Sequence, residues 1–316
     1  MIPYKEGQFA VYRDRPDYRD FSFGDVAGAV SVDWDNAYMI DFDFDVESQN
    51  GSLSCVGQAF SKYAEVLNYY DTQEKIDLSA KFIYGQIYLP SGGAYLRDAA
   101  KILVKQGCAE ESIVPSYPAT EENMRNLVLN QDILDNAIKY QAKEYRLVSA
   151  NIDELAQAIK MGHGVVTAFD GNNSGWQSAF VKPPQGQPSW SHAVYLIGYV
   201  KIGEKKYLVG INSWGEKWGD KGMFWVGEDY FQNYTINGIN FNYAYQGWTI
   251  IDKPNNMIIK KEKGSPNYYL IINNKKIMII DFPTYQALNS PLVEEVDSLS
   301  SYTDGGSLIW TERIIN

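Results

Sequence analysis

Cysteine and histidine are both scarce in this chain, which has two of each: Cys55, Cys108, His163 and His192. At most one disulfide can form, so a small secreted scaffold stapled by several bridges is excluded. A structural zinc site needs three or four ligands at short spacing; these four residues stand far apart, and neither a metal centre nor any other cofactor is expected. Cations are also in deficit. Against 39 Asp and Glu there are 28 Lys and Arg, a net charge of −11 with a pI near 4.8, which disfavours a broad phosphate-binding surface and hence nucleic acid as a partner. No run of about eighteen uncharged apolar residues occurs, so no membrane span is expected. The first twenty residues are charged and lack the apolar stretch of an export signal. These features point to a cytoplasmic or virion-associated protein, and the abundance of Asn, Ile and Lys to a bacterial or phage product.

Core-forming material, by contrast, is plentiful: 45% of residues are hydrophobic, including 8 Trp, 24 Tyr and 13 Phe. A solvated low-complexity chain does not carry this much, and the length suits one large and one small folded unit. Residues 1–20 read as an extended arm with no core of its own. Ile40 to Val46 alternates apolar and acidic residues, which predicts a half-exposed strand or extended segment. Its Asp41, Asp43 and Asp45 do not make a calcium loop, because Val46 and Ser52 stand where that loop needs Gly and Glu. Helical spacing runs from Cys55 to Tyr70, then over Leu78 to Leu89 and Ala94 to Gln106, the last two divided by Pro90-Ser-Gly-Gly93. Asp153 to Met161 is a further helix, with Asn151 or Asp153 as N-cap and Gly162 as its stop.

From Val165 onward the pattern changes to strands: Val165 to Phe169, His192 to Tyr199, Tyr207 to Ile211, Met223 to Val226 and Ile239 to Trp248. Helices first and strands second imply an α+β architecture, a helical lobe facing an antiparallel sheet or barrel. A boundary falls near Asp252 to Asn256. Beyond it, Tyr268 to Ile272 and Lys276 to Ile280 flank Asn273-Asn274 as a hairpin, followed by a short helix-like Pro283 to Leu288. The expected organisation is an arm over 1–20, a main domain over 21–252 and a small β-rich module over 253–316.

The sharpest local feature is Gln49-Asn-Gly-Ser-Leu-Ser-Cys55-Val-Gly-Gln-Ala-Phe-Ser61. It sets a cysteine in the first turn of a helix, where unpaired N–H groups and the positive end of the helix dipole stabilise a thiolate nucleophile. A base must accompany it. His163, between two glycines at a helix end, reads as a solvent-facing turn residue; His192 opens a strand that could hold its ring rigidly. The following strand ends in Asn212, which can accept an imidazole N–H and fix the tautomer, and Trp214 and Trp218 nearby can screen that bond from water.

Three stretches, the segment around Cys55, Ser191-His-Ala-Val-Tyr-Leu-Ile-Gly-Tyr199 and Ile211-Asn-Ser-Trp-Gly-Glu-Lys-Trp-Gly219, together resemble the papain-like cysteine peptidases. The order Cys, His, Asn matches that family, and His192 follows Cys55 within its offset of roughly 130–150 residues. Gly92-Gly93 resembles the family's paired glycines, and Gly107 to Ser112 resembles its turn before Tyr117-Pro118. Pro16-Asp-Tyr-Arg-Asp20 looks like the start of bacterial members, so the likeness spans about residues 16 to 250.

The resemblance implies a two-lobe papain-like fold and hydrolysis of a polypeptide substrate. By it, Cys55 would be the nucleophile, His192 the general base and later acid, Asn212 its orienter, and Gln49 the oxyanion-hole partner of the Cys55 N–H. Gly92, Gly93, Ala94, Ser191 and Trp214 would meet substrate, and Trp214 and Trp218 would shield Asn212. There are departures. Val56 replaces a large aromatic, Ser52 stands where many members have a disulfide cysteine, and Cys108 has no family-like partner. No long helical pro-segment precedes the domain, so a self-inhibiting zymogen is not expected, and the short arm is left as a means of limiting access. Two other readings stay open: a non-catalytic interaction protein whose 253–316 module binds a protein partner, and a Cys-dependent transpeptidase or ligase.

Overall fold

The helix Cys55–Thr72 organises the main unit. Every residue of its first part, Cys55 through Leu67, is buried. A helix apolar on one stripe only could not be so enclosed; here the charged pair Lys62 and Glu65 is buried as well, neutralised by an ion pair at 2.5 Å. Gly57 lets a second helix, Ala80–Ile87, approach closely, since a Cβ there would stand 2.6 Å from the Ala80 carbonyl oxygen. The other side of the Cys55 helix packs on a sheet.

The computed structural model describes residues 7–18, 20–24, 32–236, 238–251, 258–272, 275–279, 293–300 and 303–308. The chain divides into the units Met1–Asp252 and Lys253–Asn316. In the first, a nine-stranded sheet runs in the order Glu144–Val148, Gly247–Ile251, Val165–Gly171, Trp190–Ile202, Lys205–Ile211, Met223–Gly227, Phe180–Val181, with two short strands, Gln8–Phe9 and Tyr38–Met39, paired to Trp190–Ile202 off this path. Its long neighbours are antiparallel, and Phe169 lies opposite His192. The helices gather on the N-terminal side of the chain and the strands follow, so the α+β expectation holds. In the second unit, Ile258–Glu262, Tyr268–Ile272 and Lys275–Ile279 form an antiparallel meander with Val293–Val296 and Thr303–Leu308 added parallel at its edges.

Several boundaries differ from the sequence reading, each for a physical reason. Only Tyr38–Met39 is a strand, with Ile40 adding one N–H bond to the Ile197 carbonyl at 3.0 Å; residues 41 to 46 keep the alternation, with Asp41, Asp43 and Asp45 exposed, outside any strand among the described residues. Ala94–Tyr95 is a strand rather than a helix start, because it pairs with the N-terminal arm, and the helix begins at Leu96. Asn151 does cap Ile152–Gly162, accepting from Asp153 and Glu154 N–H, yet the left-handed stop is His163 at φ 55°, one residue past Gly162. The stretch Ile239 to Trp248 breaks into Ile239–Asn242 and Gly247–Ile251. Two short helices, Glu121–Arg125 and Gln131–Ala137, carry too little apolar periodicity to be seen in the sequence. Asn273-Asn274 and the helix-like Pro283 to Leu288 lie outside the described residues.

The arm is extended and packs on the main unit, where Ala10 and Val11 are buried completely or nearly so in the shared core. Gln8–Phe9 pairs parallel with Trp190 and Ser191, and Val11–Tyr12 pairs parallel with Ala94 and Tyr95, so the arm bridges the sheet and the helical side.

Tyr63 ties the Cys55 helix to the sheet. Its hydroxyl donates to the Gly162 carbonyl at 2.5 Å and accepts the Ile250 N–H at 3.1 Å, and its ring stacks on Tyr195 with centroids 4.8 Å apart. Removing the hydroxyl leaves a buried N–H and carbonyl unpaired. Tyr63→Phe is expected to lower unfolding free energy by about 1–3 kcal/mol, measured as a fall in the urea midpoint at unchanged m-value.

Candidate active site

Cys55 is the first residue of its helix, and the preceding Ser54 makes no side-chain cap bond to the helix N–H groups. Its hydroxyl is instead 2.7 Å from that of Ser52. The N-terminal amides and the helix dipole are thus directed at the cysteine without a competing cap, an arrangement that favours negative charge on sulfur. A further N–H comes from across the lobe boundary: the Ala193 amide donates to Cys55 Sγ at 3.4 Å. Ala193 follows His192 in the chain, so this bond brings the thiol beside the imidazole.

His192 sits in the middle of the sheet and is fully buried. Its Nε2 is 2.6 Å from Asn212 Oδ1. The same oxygen accepts the Ser213 N–H at 2.8 Å, which assigns the amide's orientation; Nε2 therefore carries the proton and Nδ1 is left as the basic nitrogen. Asn212 immediately follows the strand Lys205–Ile211 and is anchored by its own N–H on the Gly222 carbonyl at 2.9 Å. Trp214 stacks on the imidazole with centroids 4.7 Å apart and planes 29° apart. Trp176, fully buried, meets the same ring edge-on and also packs on Trp190, Trp214 and Trp218. This aromatic cage keeps water from the His192–Asn212 bond, which strengthens it in a low-dielectric setting. Trp214 is part of that cage.

Gln49 is fully buried next to this group. Its Oε1 accepts from Ser213 Oγ at 2.8 Å, its Nε2 donates to the Ser52 carbonyl at 2.5 Å, and its N–H bonds the Ser213 carbonyl at 2.9 Å. The loop before Cys55 and the loop after Asn212 are therefore locked together through one side chain. The structure thus gathers Cys55, His192, Asn212 and Gln49, residues from three separate stretches of the chain.

The paired glycines are held by contacts of their own and lie against the arm. The Gly93 N–H donates to Tyr84 OH at 3.1 Å and its carbonyl accepts the Leu89 N–H at 2.9 Å. Both residues have positive φ, and a Cβ on Gly93 would stand 2.5 Å from the Ala10 carbonyl oxygen, so the glycines serve the turn and the close approach of the arm. The groups turned toward the groove are the Ala94 N–H and the Ser191 carbonyl, which bond Ala10 at 3.1 and 3.4 Å.

Sequence reasoning missed four contributors. Trp176 and Trp190 lie in no motif, and only the fold brings them to His192. Glu121 holds the cysteine loop, accepting from the Leu53 N–H at 2.7 Å and from Tyr84 OH at 2.7 Å. Gln58, one turn after Cys55, and Asn212 both line a small cavity of about 20 Å³, a size that one water molecule fills, and the buried amide nitrogen of each has no protein acceptor among the described residues. His163 is not a solvent-facing turn residue: it stacks on Tyr70 with centroids 3.9 Å apart. Glu47, Glu65 and Asp77 come within metal-ligating distance of one another, but Lys62 Nζ lies among them, 2.5 Å from Glu65 and 3.3 Å from Glu47, and meets their charge.

Burial pushes the His192 imidazole down to about 3, and the Asn212 bond opposes this only in part. An imidazolium there needs a counter-anion, and the Cys55 thiolate is the one the geometry offers; the two protons are coupled. In a Cys55→Ala protein the anion is gone, and the folded state then binds fewer protons than the unfolded one between pH 6.5 and about 3. The contribution is full above pH 6.5 and is lost as pH falls through that window, at up to roughly 1.4 kcal/mol per pH unit. Denaturation of Cys55→Ala is expected to show this acid slope, and Cys55→Ala/His192→Gln a shallower one, with the carboxylate background common to both.

The family model for papain family cysteine protease matches residues 30–243. Serine-repeat antigen protein 5 of Plasmodium falciparum is 32% identical over 175 residues, which are 48% of this chain and 17% of that protein. A cysteine protease of Blomia tropicalis is 24% identical over 57% of this chain and 56% of its own length, and mouse cathepsin S is 25% identical over 48% and 43%. The chain thus spans less than two thirds of the curated relatives it matches. Among solved structures, xylellain, a cysteine protease from Xylella fastidiosa, superposes with a TM-score of 0.64 at 24% identity over 79% of this chain and 97% of that one. Digestive procathepsin L2 from Tenebrio molitor larval midgut gives 0.60 at 16% identity, over 79% and 78%. At these identities the superpositions speak to the fold alone, and the matched model to ancestry: the chain belongs to the papain family of cysteine proteases.

Proposed function

We propose that the protein is a thiol peptidase that cleaves polypeptides through an acyl-enzyme on Cys55. One observation carries this reading: Cys55 at an uncapped helix start is hydrogen-bonded to the residue beside His192, whose other ring nitrogen is fixed by Asn212 under a tryptophan cage. In the first half-reaction the Cys55 sulfur attacks the scissile carbonyl carbon. His192 holds the thiol proton and passes it to the leaving amine as the C–N bond breaks. In the second, His192 takes a proton from water, whose oxygen attacks the thioester, and the thiol is restored as the acid leaves. Negative charge on the tetrahedral oxygen is met by the Cys55 N–H and the Gln49 amide, whose orientation Ser213 holds. Asn212 keeps the imidazole in the tautomer both half-reactions need.

Two variants test these roles. Cys55→Ala is expected to abolish peptide hydrolysis, and turnover at the wild-type rate would end the proposal. Gln49→Ala is expected to lower kcat by about 100- to 1,000-fold with a smaller change in KM, read from steady-state cleavage of a fluorogenic peptide. Thiol labelling separates the two cysteines independently of substrate. Burial pushes the Cys108 thiol well above its ordinary value, so an epoxide or iodoacetamide is expected to modify Cys55 first in the folded protein, with the difference vanishing on unfolding.

A further inference from the structure

Cys55, His192 and Gln49 are each 0% exposed, and the groove between Ser191 and Ala94 is occupied by the protein's own arm. Gly7 N–H bonds the Ser189 carbonyl at 2.8 Å, Ala10 spans from the Ser191 carbonyl to the Ala94 N–H, and Val11 exchanges two bonds with the Ser191 hydroxyl at 3.0 and 2.8 Å. The arm therefore lies in the groove as an extended peptide, paired on both sides through its backbone. Such pairing is indifferent to sequence; side-chain pockets supply selectivity.

One arm side chain, itself about half exposed (48%), rests its guanidinium on a set of buried and part-buried acceptors. The Arg13 guanidinium donates to Asp170 Oδ2 at 2.8 Å, to the Asn242 carbonyl at 2.5 Å and to the Ala244 carbonyl at 3.2 Å, and lies 3.9 Å over the ring of Tyr245. Asp170 is only 5% exposed, and its other oxygen accepts the Tyr245 hydroxyl at 2.8 Å. The pocket is rigid, because Asp170 belongs to the strand Val165–Gly171 and pairs with Ser191, the residue before His192. Its acceptors, a carboxylate and two carbonyls around an aromatic face, match a planar guanidinium better than a lysine ammonium. Without a cation, the buried Asp170 carboxylate keeps one oxygen unpaired, which is costly.

We propose that Asp170, Tyr245 and the Asn242 and Ala244 carbonyls form the peptidase's recognition pocket for an arginine side chain of the substrate, filled in the resting protein by Arg13 until substrate displaces the arm. This rests on the peptidase reading for its biological use, but the pocket can be tested without turnover. The probe is the peptide Gln-Phe-Ala-Val-Tyr-Arg-Asp, residues 8–14 of the arm, and the same peptide with citrulline, which keeps the arginine shape without its charge. Binding to full-length Cys55→Ala/Arg13→Ala, measured by calorimetry, is expected to be about 10- to 100-fold tighter for the arginine peptide. Adding Asp170→Asn is expected to erase the difference, and circular dichroism of each variant verifies folding. Cleavage of a random peptide pool by the Arg13→Ala protein is then expected to enrich arginine at one position near the cut, an enrichment lost on adding Asp170→Asn.

Equal binding of the two peptides by the folded Cys55→Ala/Arg13→Ala protein overturns the pocket. Arginine-selective binding with a cleavage profile indifferent to arginine overturns its role in substrate choice and leaves Arg13 and Asp170 as a staple for the arm. Arginine-selective binding with no peptide cut at all sinks the peptidase reading and upholds the pocket.

Discussion

Cys55 and His192, the proposed nucleophile and base, come from different halves of the main unit, so the proposed chemistry depends on how firmly one buried helix is held against one strand. The Ala193 N–H on Cys55 Sγ is the contact where helix and strand meet at the reacting atoms. Behind it, Tyr63 anchors the same helix on Gly162 and Ile250, and the Lys62–Glu65 pair satisfies the two charges that the helix carries into the interior. A rotation of the helix by one residue would turn Cys55 away from His192 and bury a different set of side chains. The near-complete burial of Cys55 through Leu67 prevents that, because close-packed interiors tolerate few alternative arrangements.

Around this contact the polar groups form a chain of hydrogen bonds. Asn212 Oδ1 serves both His192 and Ser213; the Ser213 hydroxyl serves Gln49; Gln49 serves the Ser52 carbonyl in the cysteine loop. Each bond restricts the next, so the imidazole tautomer and the amide of Gln49 are set together. The tryptophans supply the dry surroundings in which such bonds are strong. Burial that strengthens these bonds also disfavours a lone imidazolium at His192, so the charged form is tied to a thiolate at Cys55.

The arm adds a second layer. It completes the sheet edge at Trp190 and Ser191 and covers the groove with its own backbone, and Arg13 places a cation on a carboxylate one strand away from the base. Access to the site and recognition within it are thereby coupled: the contacts that hold the arm down are the contacts an incoming peptide would have to replace.

From the sequence alone, the residues that resemble the papain family identify Cys55, His192, Asn212 and Gln49, since with two cysteines and two histidines there are few competitors. The long helix and the main strands were legible too, because burial on one face writes itself into the spacing of apolar residues. What the sequence could not show depends on contacts between distant segments. Trp176 and Trp190 join the cage only when the sheet closes, Gly93 gives its amide to Tyr84, and Ala94 pairs with the distant N-terminal arm. Asp170 and Arg13 stand 157 residues apart; each is an ordinary charged residue in its own neighbourhood, and only the tertiary structure, by bringing them together at the strand next to Ser191, makes them a recognition site.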